Sequence, residues 1–173
     1  MFFDQLKTRR SIRKFKDQAV EQEKIDAILR CALMAPSSRS RRPWEFIAVT
    51  DHELLSQLAL CREHGSAFLA GAPLAIVVVA NPDLCDVWIE DSSIAAILIQ
   101  LAAHDLGLGS CWIQVRERFQ TEQKKSEDYM KDILSIPGQY AVECVIAIGY
   151  PDEVKKPHKE SELPYEKLHF NQF

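Results

Sequence analysis

The sequence lacks the short motifs of several common enzyme classes. No GxGxxG follows a strand-like run and no GxxxxGK[ST] occurs, so the Rossmann dinucleotide fingerprint and the P-loop are both absent. GxSxG and HExxH are missing as well, which argues against the nucleophile elbow of many hydrolases and the zinc-protease helix. The five histidines are isolated from one another. A surface position or a satisfied structural role is the simplest interpretation of each.

An excess of positive charge and long apolar runs are also lacking. The formal net charge is −4 and the pI is about 5.7, whereas the surface of a nucleic-acid-binding domain is usually dominated by basic residues. No stretch approaches the roughly 18 uninterrupted apolar residues of a membrane span. The N-terminal residues MFFDQLKTRR show no apolar run before a small-residue cleavage site. We therefore expect no nucleic-acid partner, no membrane span and no signal peptide.

The cysteines do not form a recognisable metal or disulfide pattern. The five are widely spaced, with no CxxC pair and no histidine at ligand spacing. An odd, scattered set is typical of reduced thiols in a reducing compartment. The sequence therefore predicts a cytoplasmic protein that has no metal centre.

Hydrophobic periodicity predicts about four core strands and five helices in mixed order. This order indicates an α+β fold (an α/β sandwich), in which a central mixed sheet is covered by helices. The absence of a linker or a repeat predicts a single domain over residues 1–173. The predicted helices are 2–7, 21–35, the segment after Asp51, 86–106 and 121–134, and the predicted strands are 44–49, 72–80, 110–115 and 141–150.

Two segments are unusual within this plan. Apolar residues surround most of the predicted helix 86–106, so we expect it to be central or to lie in a subunit interface. The last 23 residues, Pro151 to Phe173, contain few core-forming runs and three prolines. They predict an extended C-terminal arm.

Basic residues form three clusters in this acidic chain. Residues 7–16 include Arg9, Arg10 and Arg13 around Ser11, residues 37–42 combine three arginines with three serines, and residues 155–159 hold three lysines around His158. Arginine forks beside serine hydroxyls suit a phosphate group. The same clusters can also be solvated surface. Composition alone does not show whether they converge.

The order of several motifs resembles the nitroreductase family. Arg9-Arg10-Ser11-Ile12-Arg13 is similar to its N-terminal R-R-S-x-R motif, and the segment 35–46 (APSSRSRRPWEF) to its A-P-S-x-x-N-x-Q-P-W-x-F segment. The segments 91–96, 106–113 and 148–151 resemble its central helix, the following strand and its C-terminal end. The resemblance extends over almost the whole chain.

This resemblance implies a homodimer that binds FMN at the subunit interface, accepts hydride from NADH or NADPH and reduces nitroaromatics, quinones or similar small molecules. By position, Arg9, Arg10 and Ser11 would hold the FMN phosphate, and Arg13 would reach the ribityl chain and the pyrimidine edge. The partner subunit would supply further contacts to FMN, and backbone groups of a β-strand would contact the flavin ring. The remaining expected cofactor-binding residues are Pro36, Ser37, Ser38 and Ser40 of the partner, Arg42 near the flavin pyrimidine, Cys111, Trp112, Ile113 and Gln114 near the ring, and Lys156 and His158 near the phosphate.

Three positions depart from the family pattern. Ser40 replaces the usual Asn and Arg42 the usual Gln, and Gln114 stands where glycine is common, so its longer side chain would crowd the ring. The flavin carries out the hydride chemistry, so no side chain is assigned a catalytic acid or base role. Open alternatives are another flavin reaction on this fold, such as dehalogenation, a flavin-binding sensor or electron store, and a phosphate-binding protein without flavin.

Overall fold

The computed structural model describes all residues from Met1 to Phe173. It contains five α-helices and six strands. In chain order they are α1 (Phe2–Thr8), α2 (Gln22–Leu33), β1 (Trp44–Val49), α3 (His52–Leu58), β2 (Leu74–Ala80), α4 (Trp88–Asp105), β3 (Gly109–Gln114), β4 (Phe119–Thr121), β5 (Lys124–Lys125), α5 (Ser126–Leu134) and β6 (Ala141–Gly149).

Four strands form the central sheet in the order β1-β2-β6-β3. The expected fold class is confirmed, but the mixed sheet is corrected, because all three strand pairs of this sheet are antiparallel. Strand β6 lies between β2 and β3 and is antiparallel to both. Hydrophobic runs covered on both faces do not reveal strand direction. The one parallel pairing is an isolated bridge between Ser11 and Ser110.

Helices cover both faces of the sheet. On one face Ala75, Val77 and Val79 of β2 pack in a core shared with α3 and α5. On the other face Leu74, Ile76 and Val78 pack in a core shared with α2 and α4. Because side chains alternate along a strand, a strand buried on both faces must be apolar at every position.

Helix α4 lies centrally, as its sequence predicts. Ala95, Ala96 and Ile99 are fully buried, whereas Ile94 and Ile97 on another side of the helix remain 39% and 38% exposed. None of the helices has the length and the apolar character needed to cross a membrane. The exposed isoleucines leave part of the apolar surface of α4 without a partner within the chain.

The helix predicted over 121–134 begins later, at Ser126. Residues 119–125 form the small β4–β5 hairpin instead. The hydroxyl of Thr121 accepts the backbone N–H of Lys124 at 3.1 Å. Such local bonds compete with helix formation, and a pattern based on apolar spacing does not detect them.

The C-terminal arm is extended, as expected. It contains only two short 3₁₀ turns, Glu160–Glu162 and Tyr165–Lys167, and most of its side chains are exposed. The arm folds back on α1, where the backbone N–H of His158 donates to the carbonyl of Lys7 at 2.9 Å and Lys7 pairs with Glu160 at 3.0 Å. Exposed ion pairs of this type contribute little stability.

Gly149 is required by close packing at the end of β6. A Cβ atom at this position would lie 2.6 Å from Cδ of Pro73 and 3.0 Å from Cδ1 of Phe15. We expect Gly149→Ala to lower the free energy of unfolding by about 1–3 kcal/mol, the usual cost of overpacking. Urea unfolding measures the change.

Gly138→Ala is the matched control, because its Cβ would have no atom within 4 Å. That variant should be neutral or slightly more stable, since alanine restricts the unfolded chain. Equal stability of the two variants would contradict the packing argument.

Candidate functional site

The N-terminal segment after α1 runs along the outer edge of β3. The backbone N–H of Ile12 donates to the carbonyl of Ser110 at 3.0 Å, and that of Lys16 to the carbonyl of Tyr150 at 2.9 Å. Ile12 is buried against Gly109, where a Cβ would approach to 2.8 Å. This contact holds the basic N-terminal cluster beside the sheet.

A cleft of about 230 Å³ opens at this edge. Three cationic side chains, Arg9, Arg10 and Lys155, line it together with His104. Two of the three basic clusters therefore converge. A concentration of cations in one concave site suits an anion such as phosphate. The other lining residues are Thr8, Ile12, Gly107, Leu108, Gly109, Ser110, Pro151, Glu153 and Val154.

His104 extends from the last turn of α4 towards the N-terminal segment. Its Nε2 lies 2.8 Å from the hydroxyl of Thr8. Burial, and secondarily the charge of Arg9, lower the pKa of His104. The neutral imidazole is therefore favoured beside the arginines.

Glu153 joins the start of the arm to the N-terminal segment. Its carboxylate accepts the backbone N–H groups of Arg13 and Lys14 at 2.6 and 3.2 Å and pairs with Lys155 at 2.6 Å. The backbone N–H of Arg13 and then the bond from Lys155 lower the pKa of Glu153 to about 2. Glu153 thus positions two backbone segments and one cation of the cleft.

Strand β3 presents unpaired backbone groups at the same edge. β3 is an edge strand, and the outward carbonyl of Ser110 indicates that the alternate residues Trp112 and Gln114 also face outward. No loop or side-chain group bonds to the N–H of Trp112 or Gln114. The side chains of Ile113 and Trp112 pack in the two cores. What this part of β3 offers a ligand is its backbone.

The Gln114 side chain turns back along β3. Its Oε1 accepts Nε1–H of Trp112 at 2.9 Å, and its Nε2 donates to the carbonyl of Arg116 at 3.2 Å. These bonds hold the side chain of Gln114 against the end of β3.

The second basic cluster lies in a loop with an unusual backbone. Arg39, Ser40 and Arg42 have positive φ angles of 51°, 55° and 49°. Non-glycine residues in this region store strain and need support from their surroundings. The support comes from Ser37, whose hydroxyl accepts the N–H of Arg42 at 2.9 Å, and from the buried Asp91, whose Oδ1 accepts the N–H of Ser38 at 2.9 Å.

This loop does not reach the cleft of the same chain. It leads into Trp44, which pairs with Ala80, and Ala80 pairs in turn with Ala141 at one end of β6. Gly109, beside the cleft, pairs with Gly149 at the other end of β6. Each set of paired residues forms a row across the sheet. The two rows are about 26 Å apart along the strands, at ~3.3 Å per residue. One small ligand cannot contact both basic regions of a single chain.

Comparison with known proteins identifies the family. The Nitroreductase family model matches residues 6–61 and 56–150. The chain belongs to the nitroreductase family. It is similar to an FMN-dependent nitroreductase of Clostridium difficile, with 55% identity, 99% of each chain covered and a TM-score of 0.98.

Other nitroreductase relatives cover most of the chain. A protein of Archaeoglobus fulgidus, provisionally named NADH dehydrogenase/NAD(P)H nitroreductase, is 40% identical, with 86% of this chain and 84% of the relative covered. The NADPH:FMN oxidoreductase of Vibrio harveyi, solved with NAD⁺, is 25% identical with a TM-score of 0.82, and 99% of this chain and 77% of that chain are covered.

The predicted site residues fall into two separate groups. Arg9 and Arg10 line the cleft, and Ser11 and Arg13 lie beside Cys111, where they lower a thiol pKa that burial raises. The segment 36–42 is distant from them. Lys156 contributes its backbone carbonyl to Arg10, and His158 lies in a small apolar hollow with Phe3, Leu6 and Leu163. Their roles stay predictions.

Several side chains at the site were not predicted as site residues. Lys155 was recognised only as part of a charge cluster, and Asp91 only as part of the central helix. Glu153 and His104 have no local sequence signal, because their contacts join segments about a hundred residues or more apart. Only the tertiary structure brings these groups together.

Asp91 is expected to stabilise the strained loop. Asp91→Ala leaves the partly buried N–H of Ser38 without its acceptor, which should reduce the free energy of unfolding by about 1–3 kcal/mol. The freed loop should also be cut faster by trypsin after Arg39 and Arg41, whereas the bond after Arg42 precedes Pro43 and is not a trypsin site. Asp91→Asn keeps an acceptor oxygen and should resemble the wild type. Equal cleavage of all three proteins would contradict this role.

Glu153 is expected to protect two backbone amides. Because the pKa of Glu153 is lowered to about 2 from 4.5, its stabilisation is present above pH 4.5 and is lost as the pH falls through about 2. Hydrogen-exchange protection of the Arg13 and Lys14 amides should fall over this window. In Glu153→Ala it should be low throughout. Ile12, whose N–H bonds to Ser110, is the internal control, and unchanged protection at Arg13 and Lys14 would refute the interaction.

Proposed function

We propose that this nitroreductase is an FMN-dependent oxidoreductase that takes electrons from NADH or NADPH. The observation that carries the proposal is the cleft in which Arg9, Arg10 and Lys155 converge beside the unpaired backbone N–H groups of β3. Cationic donors suit the phosphate of a mononucleotide, and backbone donors suit the polar edge of a flavin ring. The residues present therefore fit FMN. The relatives named for FMN and NAD(P)H support this assignment.

The residues of the cleft, of the adjoining N-terminal segment and of β3 would divide the binding of FMN between them. Arg9, Arg10 and Ser11 would hold the phosphate, with Lys155 as an additional cation. Arg13, which extends from the segment beside Cys111, would reach the ribityl chain and the pyrimidine edge. A cation there favours the negative charge that reduction places on the ring. The backbone of residues 111–114 would direct its outward N–H groups at the ring.

We propose that a second copy of the chain completes the site. The loop 37–42 lies too far from the cleft of its own chain, so the contacts expected of Pro36, Ser37, Ser38, Ser40 and Arg42 require the loop of the partner subunit. Exposed apolar side chains offer a surface for dimer formation. They include Phe2, Phe3, Leu33, Met34, Ile94, Ile97 and Phe170.

The protein's contribution to the reaction is binding and orientation. FMN, when bound, supplies the hydride and electron chemistry, so the donor and a nitroaromatic, quinone or similar acceptor would use one face in turn, in a ping-pong order. Gln114 is held away by its bonds to Trp112 and Arg116, which leaves room beside β3. A cytoplasmic location, expected from the scattered cysteines, stays a prediction.

The proposal is tested with Arg9→Ala, with exposed Arg30→Ala on α2 as the matched control. Loss of one charge-assisted contact, worth about 1.5–3 kcal/mol, should weaken FMN binding by roughly ten- to a hundredfold. Fluorescence titration of FMN measures the affinity, and circular dichroism confirms the fold. An unchanged affinity in Arg9→Ala would remove the phosphate assignment.

Turnover is tested by anaerobic visible spectra of the FMN-loaded protein. NADH or NADPH should bleach the flavin spectrum rapidly, and a nitroaromatic or a quinone should then restore it. Bound flavin that stays oxidised with both nucleotides would indicate a flavin-binding sensor or a different flavin reaction. Failure to bind FMN would overturn the proposal.

A further inference from the structure

Glu143 is a charged residue in the middle of the apolar strand β6. Glu143 is only 3% exposed. Val79 pairs with Val142 and Val78 with Cys144, so a β-bulge leaves Glu143 without a partner on β2. On its other side, the Glu143 carbonyl accepts the backbone N–H groups of Val115 at 3.3 Å and Arg116 at 3.1 Å. The bulged residue therefore lies opposite the point where β3 ends.

The Glu143 carboxyl lies close to residues at the end of β3. Oε2 is buried and has no hydrogen-bond partner. The groups that face the carboxyl are Gln114 and Arg116, which lower its pKa, and Glu117 and Glu90, which raise it. Arg116 and Glu117 follow β3 and pair with each other at 3.0 Å, and Glu90 belongs to the first turn of α4.

Burial favours the neutral form of this carboxyl. An ionised oxygen without a partner in the interior is costly, whereas the protonated acid is tolerated. Burial is the largest cause of the raised pKa of Glu143, and the opposing charge of Arg116 offsets it only in part.

The side-chain amide of Gln114 is a neighbour of this carboxyl, and it links residues at the end of β3. Gln114 connects the indole N–H of Trp112 to the carbonyl of Arg116. A negative charge on Glu143 would attract the Gln114 amide donors and the Arg116 guanidinium. Both would then move towards the interior, and the bond from Trp112 to Gln114 would be weakened.

We propose that Glu143 is a positioning residue of the flavin site: its buried neutral carboxyl keeps Gln114 and Arg116 in the arrangement that aligns the end of β3, and its ionisation disturbs that arrangement. The proposal rests on the proposed function, because β3 is the strand assigned to the ring. Glu143 acts through Gln114 and touches neither the cofactor nor the substrate.

The pH dependence of stability follows from the same carboxyl. Because its pKa is raised above 4.5, the folded state favours the protonated acid, and the stability this contributes is present below pH 4.5 and lost as the pH rises through the folded pKa. Glu143→Gln cannot ionise. Its urea midpoint should therefore exceed that of the wild type at pH 8 and approach it at pH 4.

The deciding experiment follows the Trp112 indole N–H by NMR in flavin-free protein labelled with ¹⁵N-tryptophan. The chain has three tryptophans, and Trp112→Phe assigns the signal. In the wild type the signal should shift with a midpoint above pH 4.5. In Glu143→Gln it should keep the low-pH position throughout. Glu90→Gln is the matched control, since it removes the neighbouring acid on α4 and should leave the titration in place.

A second readout uses bound FMN. Loss of one hydrogen bond of about 1 kcal/mol corresponds to roughly a fivefold change in affinity. The wild-type dissociation constant for FMN should rise by about this factor across the titration, and that of Glu143→Gln should not. Glu143→Leu, which cannot hold Gln114, should bind FMN more weakly than Glu143→Gln at every pH.

The outcomes separate this inference from the proposed function. A Trp112 signal that does not titrate, or that titrates equally in Glu143→Gln, overturns the role of Glu143 even if FMN binds tightly. An affinity for FMN that varies with pH identically in the wild type and in Glu143→Gln also overturns it. Failure of the wild type to bind FMN overturns the proposed function, and the titration in the flavin-free protein still shows whether Glu143 controls the end of β3.

Discussion

The pairing of the N-terminal segment with the outer edge of β3 is the contact on which the site depends. The bond from Ile12 to Ser110 and the burial of Ile12 against Gly109 place the adjoining arginines beside an edge strand. An edge strand presents donors and acceptors that the sheet leaves unused. Cations and backbone donors therefore meet in one place, which is what a phosphorylated ring cofactor needs from a protein.

The same sheet separates the remaining basic loop from that place. Residues 37–42 lead into β1, whereas the cleft lies beside β3, and the two strands are at opposite edges. They are also at opposite ends, because Trp44 and Gly109 belong to different rows of the ladder. A single chain therefore holds two basic regions that do not meet. This arrangement is the physical argument for a dimer, and it is independent of the exposed apolar surface of α4.

Two buried carboxyls support the segments that are assigned to the cofactor, and they do so in different ways. Asp91 is hydrogen-bonded to the N–H of Ser38 and receives the thiol of Cys85 at 3.5 Å, so its charge is partly compensated. One carboxyl oxygen of Glu143 has no hydrogen-bond partner, and burial favours the neutral form of this carboxyl by raising its pKa. One group therefore stabilises a strained loop by accepting bonds. The other makes the end of β3 sensitive to protonation.

The sequence by itself determined the positions of the main helices and strands, because burial on one or both faces imposes a periodicity that can be read locally. It also identified Arg9, Arg10 and the loop 37–42 as basic groups in an acidic chain, and the resemblance carried by the motifs indicated the family. It did not reveal strand direction, the β4–β5 hairpin, or the contacts of His104, Glu153 and Asp91. Pairings between distant segments depend on how the strands are ordered, and apolar spacing contains no information about that order. Only the tertiary structure decided which two basic clusters converge, which one lies far from them, and that the carboxyl of Glu143 is close to Gln114.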